Sequence, residues 1–319
     1  MQRHPNVSRA AALGTSAAIL LASALPKRAL GADLIPLRVG AAPTDATAEI
    51  YYGVDKGFYK DAGLDVTITT MFNAGALAAA LAAGSLDVVT GTVLPIADAF
   101  THGIDLRVIA PGLIYDKGQG QSVVIVVANA SPAKNAVDLN GKTIAINGLH
   151  DLTHLSLLSW LGTNGADVKS VRLIEIPFPE MGAALDQGRI DAALIVEPFT
   201  SALHGKVRVI GDALAGFGPR WVGTVWASKL TWLADHRDAA RRFAAATLKI
   251  ASWANAHQSE SAAVLAQHTS MPLAMINGMV RAVYATTPVT GPLLQPLLDS
   301  ATKYFGTPKL VGSDLVWSG

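Results

Sequence analysis

The sequence predicts an α/β fold built as two lobes of similar design, followed by a run of helices at the carboxyl end. Three observations carry this expectation. Short β-branched runs alternate with longer helical patterns up to about Ser228, the arrangement that pairs largely parallel sheets with crossover helices on both faces. The pattern ALxxGxxD occurs twice, at Leu81, Gly84 and Asp87 and again at Leu185, Gly188 and Asp191, and a repeated unit points to duplicated architecture. Beyond Ser228 the apolar spacing turns helical throughout, in "LADHRDAARRFAAATLKIASWANAH", "SESAAVLAQHTSMPLAMINGMVRAVY" and "PLLQPLLDSATKYFG", with Pro and Gly separating the segments.

Taken in order, the chain opens on a basic stretch (Arg3, Arg9), an apolar run from Ala10 to Leu25, then Pro26 and the small residues "ALGAD". This is the layout of a cleavable export signal over residues 1–32, and the run falls short of the ~20 apolar residues of a spanning helix. The predicted strands are "PLRVGAA", "LDVTITT", "LDVVTGT", "LRVIAPG", "VVIVVA", "KTIAING", "VRLIEIP", "IDAALIV" and "VRVIGD". Each copy of the repeat has an upstream glycine, Gly63 in "DAGLDVTIT" and Gly165 in "TNGADVKSVRLIEI". It supplies the left-handed residue that ends a helix before the next strand begins. The chain is expected to cross between lobes near Ser122–Ala128 and near Trp221–Ala227, giving residues 33–124 with 226–319 as one lobe and 125–225 as the other.

Composition narrows the function classes. Half of the 319 residues are hydrophobic, 15% are charged and the formal net charge is +1, so a sizeable core is available and no basic footprint suggests nucleic acid. Four of the bases (Arg3, Arg9, Lys27, Arg28) lie in the first 32 residues; without them 21 basic face 24 acidic residues. There is no cysteine, which removes disulfides, thiol catalysis and thiolate-bound metal.

The histidines of "INGLHDLTHLSLLSWLG", His150 and His154, stand at the spacing of a zinc-binding helix. A zincin requires both on one helical face with Glu after the first; here Asp151 follows, a strong N-cap, and the apolar spacing at Leu152, Leu155, Leu158 and Leu161 starts after it. His150 is thus expected outside the helix, and no metal or cofactor is expected. The same stretch suggests a ligand loop: the strand "TIAING" ends at Asn147 and Gly148 before a helix N-terminus, the edge where open α/β sheets bind ligands. Similar edges recur at Thr44, Asp45 and Thr47, at Phe72, Asn73 and Gly75, and at Thr90, Gly91 and Thr92. Thr153 lies in the first turn after Asp151. Taken one at a time, such residues are also ordinary turn and cap residues. Glu197 either caps the next helix or faces the cleft, and Trp221 either stacks on a ligand or fills the core. No nucleophile elbow or phosphate fingerprint is present, so the chain is not expected to be an enzyme.

The stretches "LRVGAAPTDATAEIYYGVDKGFYKDAGLDVTI", "FNAGALAAALAAGSLDVVTG", "AVDLNGKTIAI" and "ALDQGRIDAALIVEPF" resemble the sulfonate, taurine, nitrate and thiamine-precursor group of periplasmic substrate-binding proteins. The resemblance runs from about Leu37 to Phe305. It implies a type II periplasmic-binding fold, two doubly wound lobes on a two-stranded hinge, and closure on a small-molecule ligand delivered to a membrane permease and its ATPase subunit. It also implies ligand contacts at Thr44 to Thr47, Asn73 to Ala76, Thr90 to Thr92, Asn147 to Thr153 and Glu197. Relatives with enzymatic function use cysteines that this chain lacks. A periplasmic monomer that captures a small organic anion is the expectation. The alternatives are a thiamine pyrimidine precursor or another amine-bearing ligand, and a ligand-sensing partner of a signalling receptor.

Overall fold

The computed structural model describes residues 34–118 and 122–319; the expected export signal lies outside them. The first lobe's strands are β1 (Ile35–Ala41), β2 (Leu64–Thr70), β3 (Val88–Gly91) and β4 (Leu106–Pro111), with helices α1 (Glu49–Asp55), α2 (Phe58–Asp61), α3 (Ala74–Ala82) and α4 (Val93–Thr101) between them. After β5 (Ile114–Asp116) come β6 (Val123–Ala128), β7 (Thr143–Ile146), β8 (Arg172–Glu175), β9 (Ala192–Val196) and β10 (Val207–Asp212), carrying α5 (Leu152–Thr163), α6 (Phe178–Asp186) and α7 (Phe199–Ala202). The chain returns through β11 (Arg220–Val222) and β12 (Val225–Lys229) to helices α8 (Leu230–Asp235), α9 (Arg237–Ala256), α10 (Gln258–Thr269), α11 (Leu273–Gly278) and α12 (Gly291–Phe305).

The strands form two five-stranded sheets of identical topology, β2-β1-β3-β12-β4 and β8-β7-β9-β6-β10. In each, the fourth strand in this order runs antiparallel to both neighbours, β12 beside β3 and β4 and β6 beside β9 and β10. The sheets are therefore mixed, because the strand that re-enters each sheet from the other side runs against the βαβ units. The run Val123–Ala128, expected as a strand and as part of a crossing, is strand β6, inserted in the second sheet. The paired connection between the sheets is β5 against β11. Burial follows position: β6 is apolar on both faces because helices cover both, whereas edge strand β2 alternates buried and exposed residues along much of its length.

The repeated motif has a shared structural task. Gly84 and Gly188 adopt φ of 76° and 66° at the ends of α3 and α6, where a left-handed residue terminates the helix without steric cost. The aspartate three residues on then ties β3 to β1 in the first sheet and β9 to β7 in the second. Asp87 N–H donates to the Arg38 carbonyl at 2.9 Å and its carboxylate accepts from Arg38 N–H at 2.8 Å. Asp191 and Thr143 make the same reciprocal pair at 2.8 and 2.9 Å. Since Thr143 is buried, Asp191→Ala leaves its N–H without a partner. A loss of about 1–3 kcal/mol is expected, read as a lower urea midpoint at unchanged m-value.

One core cluster packs β1 and one face of the first sheet against α1, α9 and α10. The α9 residues in it, Ala239, Ala240, Phe243, Ala246, Ile250, Ala251 and Ala254, follow helical spacing. A second cluster runs from α3 and α4 through the second sheet and includes Leu294, Leu297, Leu298 and Ala301 of α12. The last long helix thus packs against α4 and α5, elements of both lobes.

Candidate functional site

The carboxyl ends of the parallel strands in both sheets face one cavity of about 100 Å³. Its polar lining is Thr44, Thr47, Thr90, Thr92, Asn147 and Asp151, with Thr153 and Thr224. Its apolar wall includes Phe72, Leu77, Val123, Phe178 and Val196. Phe199 braces that wall from behind, 5.9 Å from Phe178 and 6.2 Å from Phe72 between ring centroids.

Local chemistry explains why these side chains face inward. Asp151 is the N-cap of α5: Oδ1 accepts from Thr153 N at 2.8 Å, His154 N at 3.1 Å and Thr153 Oγ1 at 2.6 Å. Thr92 caps α4, accepting from Leu94 N at 3.3 Å, and Asn73 caps α3, accepting from Ala76 N at 2.9 Å. Thr44 and Thr47 hydroxyls pair at 2.9 Å across a 3-10 turn, Asp45–Thr47. Thr90 differs from all of these. It lines the cavity at 2% exposure, and its Oγ1 is buried with no hydrogen-bond partner among the described residues.

The charge balance is unusual for a polar cavity. Among the described residues no Arg or Lys lines it, and the one ionisable lining group is Asp151, whose burial pushes its carboxyl up to about 6 against the pull of its three capping bonds. Positive potential comes from the backbone. First-turn or cap residues of α3, α4, α5 and α6 (Ala74, Thr92, Leu152 and Phe178) all line the space, and each helix start carries about half an elementary positive charge. Hydrogen bonds cross the cleft between lobes: Asn147 Nδ2 donates to the Phe72 carbonyl at 2.8 Å and Asp45 N to the Glu197 carbonyl at 3.3 Å.

Six residues expected in the ligand set do not line the cavity. Asp45 has its carboxylate turned to a buried pair with Arg281; burial pushes this acid up while Arg281 pulls it down. Asn73 and Gly75 belong to the α3 cap and sit at the rim, Asn73 Oδ1 being committed to Ala76 N. His150, at φ 57°, stands outside α5 as the cap required, but its ring packs 4.9 Å from Phe305 in a separate cleft between α4 and α12. His154 Nδ1 accepts from His150 N at 3.1 Å, and burial lowers its pKa to about 4; this bond requires an unprotonated Nδ1. Glu197 is a cap, accepting from Ser201 N and Oγ at 3.0 Å each, and burial pushes its carboxyl up. Trp221 is fully buried, 5.4 Å from Tyr115 and 5.0 Å from Phe217. Leu77, Val123, Phe178, Val196 and Thr224 are among the lining residues that were not expected. Thr224 follows the crossing strand β11, and its hydroxyl accepts from Leu113 N at 2.7 Å and donates to the Ala46 carbonyl at 3.1 Å.

Comparison with known proteins agrees with this architecture. The taurine-binding periplasmic protein of Escherichia coli (strain K12) is 26% identical, over 77% of this chain and 79% of that one. The alkanesulfonate-binding protein SsuA from Xanthomonas axonopodis pv. citri, solved bound to MOPS, superposes with a TM-score of 0.77 at 19% identity, covering 90% of this chain and 99% of that one. The desulfurization enzyme DSZB superposes with a TM-score of 0.64 at 15% identity, covering 86% and 94%. The fold is therefore that of periplasmic binding proteins, a scaffold that also carries enzymes. The "NMT1/THI5 like" family model matches residues 45–261, and the chain belongs to that family.

Proposed function

We propose that the cavity binds a small organic anion of the sulfonate or carboxylate type. In this reading the protein is the periplasmic solute-binding component of an ABC importer, a monomer that delivers its ligand to a membrane permease and its ATPase subunit. The observation that carries the proposal is the convergence of four helix N-termini on a cavity whose Thr90 hydroxyl is buried without a partner. An anionic oxygen satisfies both, because helix dipoles favour negative charge at their N-termini and an unbonded buried hydroxyl gains a bond. Thr44, Thr47, Thr92, Asn147, Thr153 and Thr224 would supply the remaining polar contacts. The related proteins named for taurine and alkanesulfonates point to the same ligand class. The sheet β2-β1-β3-β12-β4 and the sheet β8-β7-β9-β6-β10, each with its helices, are the natural bodies to open and close about β5 and β11. A binding role rather than catalysis also suits a chain without cysteine.

Asp151 favours a second reading, an amine-bearing ligand, since its carboxylate borders the cavity. The two differ in pH dependence. With the Asp151 carboxyl at about 6, protonation removes a negative charge from the wall. Affinity for ethanesulfonate is expected to rise as pH falls through that value, by at most ~10-fold per unit, while affinity for ethylammonium falls. Calorimetric titration between pH 5 and 8 distinguishes them. A ligand at ~100 times its Kd should also add ~2.7 kcal/mol to the unfolding free energy. Absence of any thermal shift across a panel of sulfonates, carboxylates and amines would sink the binding proposal.

A further inference from the structure

The acid that turns away from the cavity is held by an arginine far along the chain. Asp45 is 1% exposed and Arg281 8% by side chain, and they meet Oδ1 to Nε at 3.0 Å. The guanidinium is otherwise spent: Nη2 donates to Tyr52 Oη at 2.8 Å and Ser261 Oγ at 3.2 Å, and Nη1 to the Gln258 carbonyl at 3.0 Å. Ala282 N–H donates to Asp45 Oδ2, and the Tyr284 hydroxyl donates to the Asp45 carbonyl. The segment after α11 therefore grips both the side chain and the backbone of one residue in the turn Asp45–Thr47. That turn presents Thr44 and Thr47 to the cavity, and Asp45 N–H makes a cross-lobe bond, to the Glu197 carbonyl.

A buried ion pair is poor evidence for stability, since its desolvation cost offsets its attraction and apolar replacements are often tolerated. Geometry is the better reason for this one. The Thr44 side chain accepts no backbone N–H of the turn; the Thr47 hydroxyl bonds to Thr44 and Ala42 within the same loop and the Thr224 hydroxyl to the Ala46 carbonyl, while Asp45 ties the turn by side chain and backbone to the distant 281–284 segment. Resting on the proposal that the cavity binds a ligand, we infer that Arg281 is a positioning residue: through Asp45 it sets the turn that lines the cavity and the N–H that closes the cleft. Residue 281 touches no cavity atom, yet it governs how long a ligand stays. Its loss acts on escape from the closed form rather than on encounter with the open one.

The test compares wild type, Arg281→Gln and Arg281→Lys by two measurements. Amide hydrogen exchange of the ligand-free proteins is expected to quicken at least tenfold in a peptide covering residues 43–50 of Arg281→Gln, with strands β6 to β9 unchanged. Stopped-flow tryptophan fluorescence with taurine and with ethanesulfonate is expected to show dissociation at least tenfold faster and association within about twofold of wild type. Arg281→Lys, which keeps the charge but loses the fork, should recover part of both. A variant with a lowered unfolding midpoint but wild-type dissociation and wild-type exchange at 43–50 would show a purely structural pair and overturn the inference. If neither sulfonate binds the wild type, the function proposed above fails, and the exchange result alone decides the positioning role. If Arg281→Gln does not fold, Arg281→Lys carries the test, with unchanged exchange at 43–50 as the overturning result.

Discussion

Thr90→Val is expected to move stability and binding in opposite directions. The hydroxyl is buried and without a partner, so the ligand-free protein carries the desolvation cost of that group with no bond in return. Valine has nearly the same shape and replaces the hydroxyl with a methyl that suits the apolar side of the cavity. The ligand-free variant should be more stable by about 1 kcal/mol, seen as a melting temperature raised by about 2–4 °C for a chain of this size. Binding should suffer, because a hydrogen bond to a charged group contributes about 1.5–3 kcal/mol, which corresponds to Kd weakened roughly 10- to 100-fold. Differential scanning fluorimetry without ligand and calorimetry with a sulfonate measure the two halves. A Thr90→Val protein that is less stable and binds as wild type would mean that the hydroxyl serves the fold and not the ligand.

Glu49→Gln is expected to remove a large part of the pH dependence of stability. Glu49 opens α1 at 0% exposure; Oε2 accepts from Trp226 Nε1 at 3.2 Å and Oε1 has no partner. Burial without a cation raises its carboxyl well above the ordinary 4.5. A position at a helix start favours the charged form, but desolvation of a fully buried carboxylate outweighs it. Above the ordinary value the unfolded chain has released this proton and the folded chain keeps it. Stability is thus greatest below 4.5 and falls with rising pH, by about 1.4 kcal/mol per unit until the folded group ionises. Glutamine can still accept from Trp226 and does not titrate. Urea unfolding of both proteins from pH 5 to pH 8 should show wild type losing ground on the variant across the range. Parallel curves would mean that Glu49 ionises in the folded protein as it does in the unfolded chain.

Local chemistry made much of this legible from residue order. Strands and helices came from periods of 2 and 3.6 in the apolar pattern, the cap at Asp151 from an acid before a helical run, and the duplicated lobes from ALxxGxxD. The lining threonines Thr44, Thr47, Thr90, Thr92 and Thr153, with Asn147, were legible because they follow or end parallel strands, where ligand edges lie. Orientation was not. Asp45 and Thr44 are adjacent in the turn region, but one faces a cavity and the other an arginine 236 positions away. Glu197 and Trp221 each had two uses that nothing in their neighbours separated.

What the residues settled among themselves, then, were the elements, their order and the edge where a ligand would sit, because periodicity, capping and left-handed glycines act over a few positions. The tertiary structure alone decided the antiparallel insertion of β6 and β12, the passage of α12 against both lobes, and the capture of Asp45 by Arg281. Each of these is a contact between segments distant in the chain, and a buried charge or an inserted strand finds its partner only when the whole chain has folded around it.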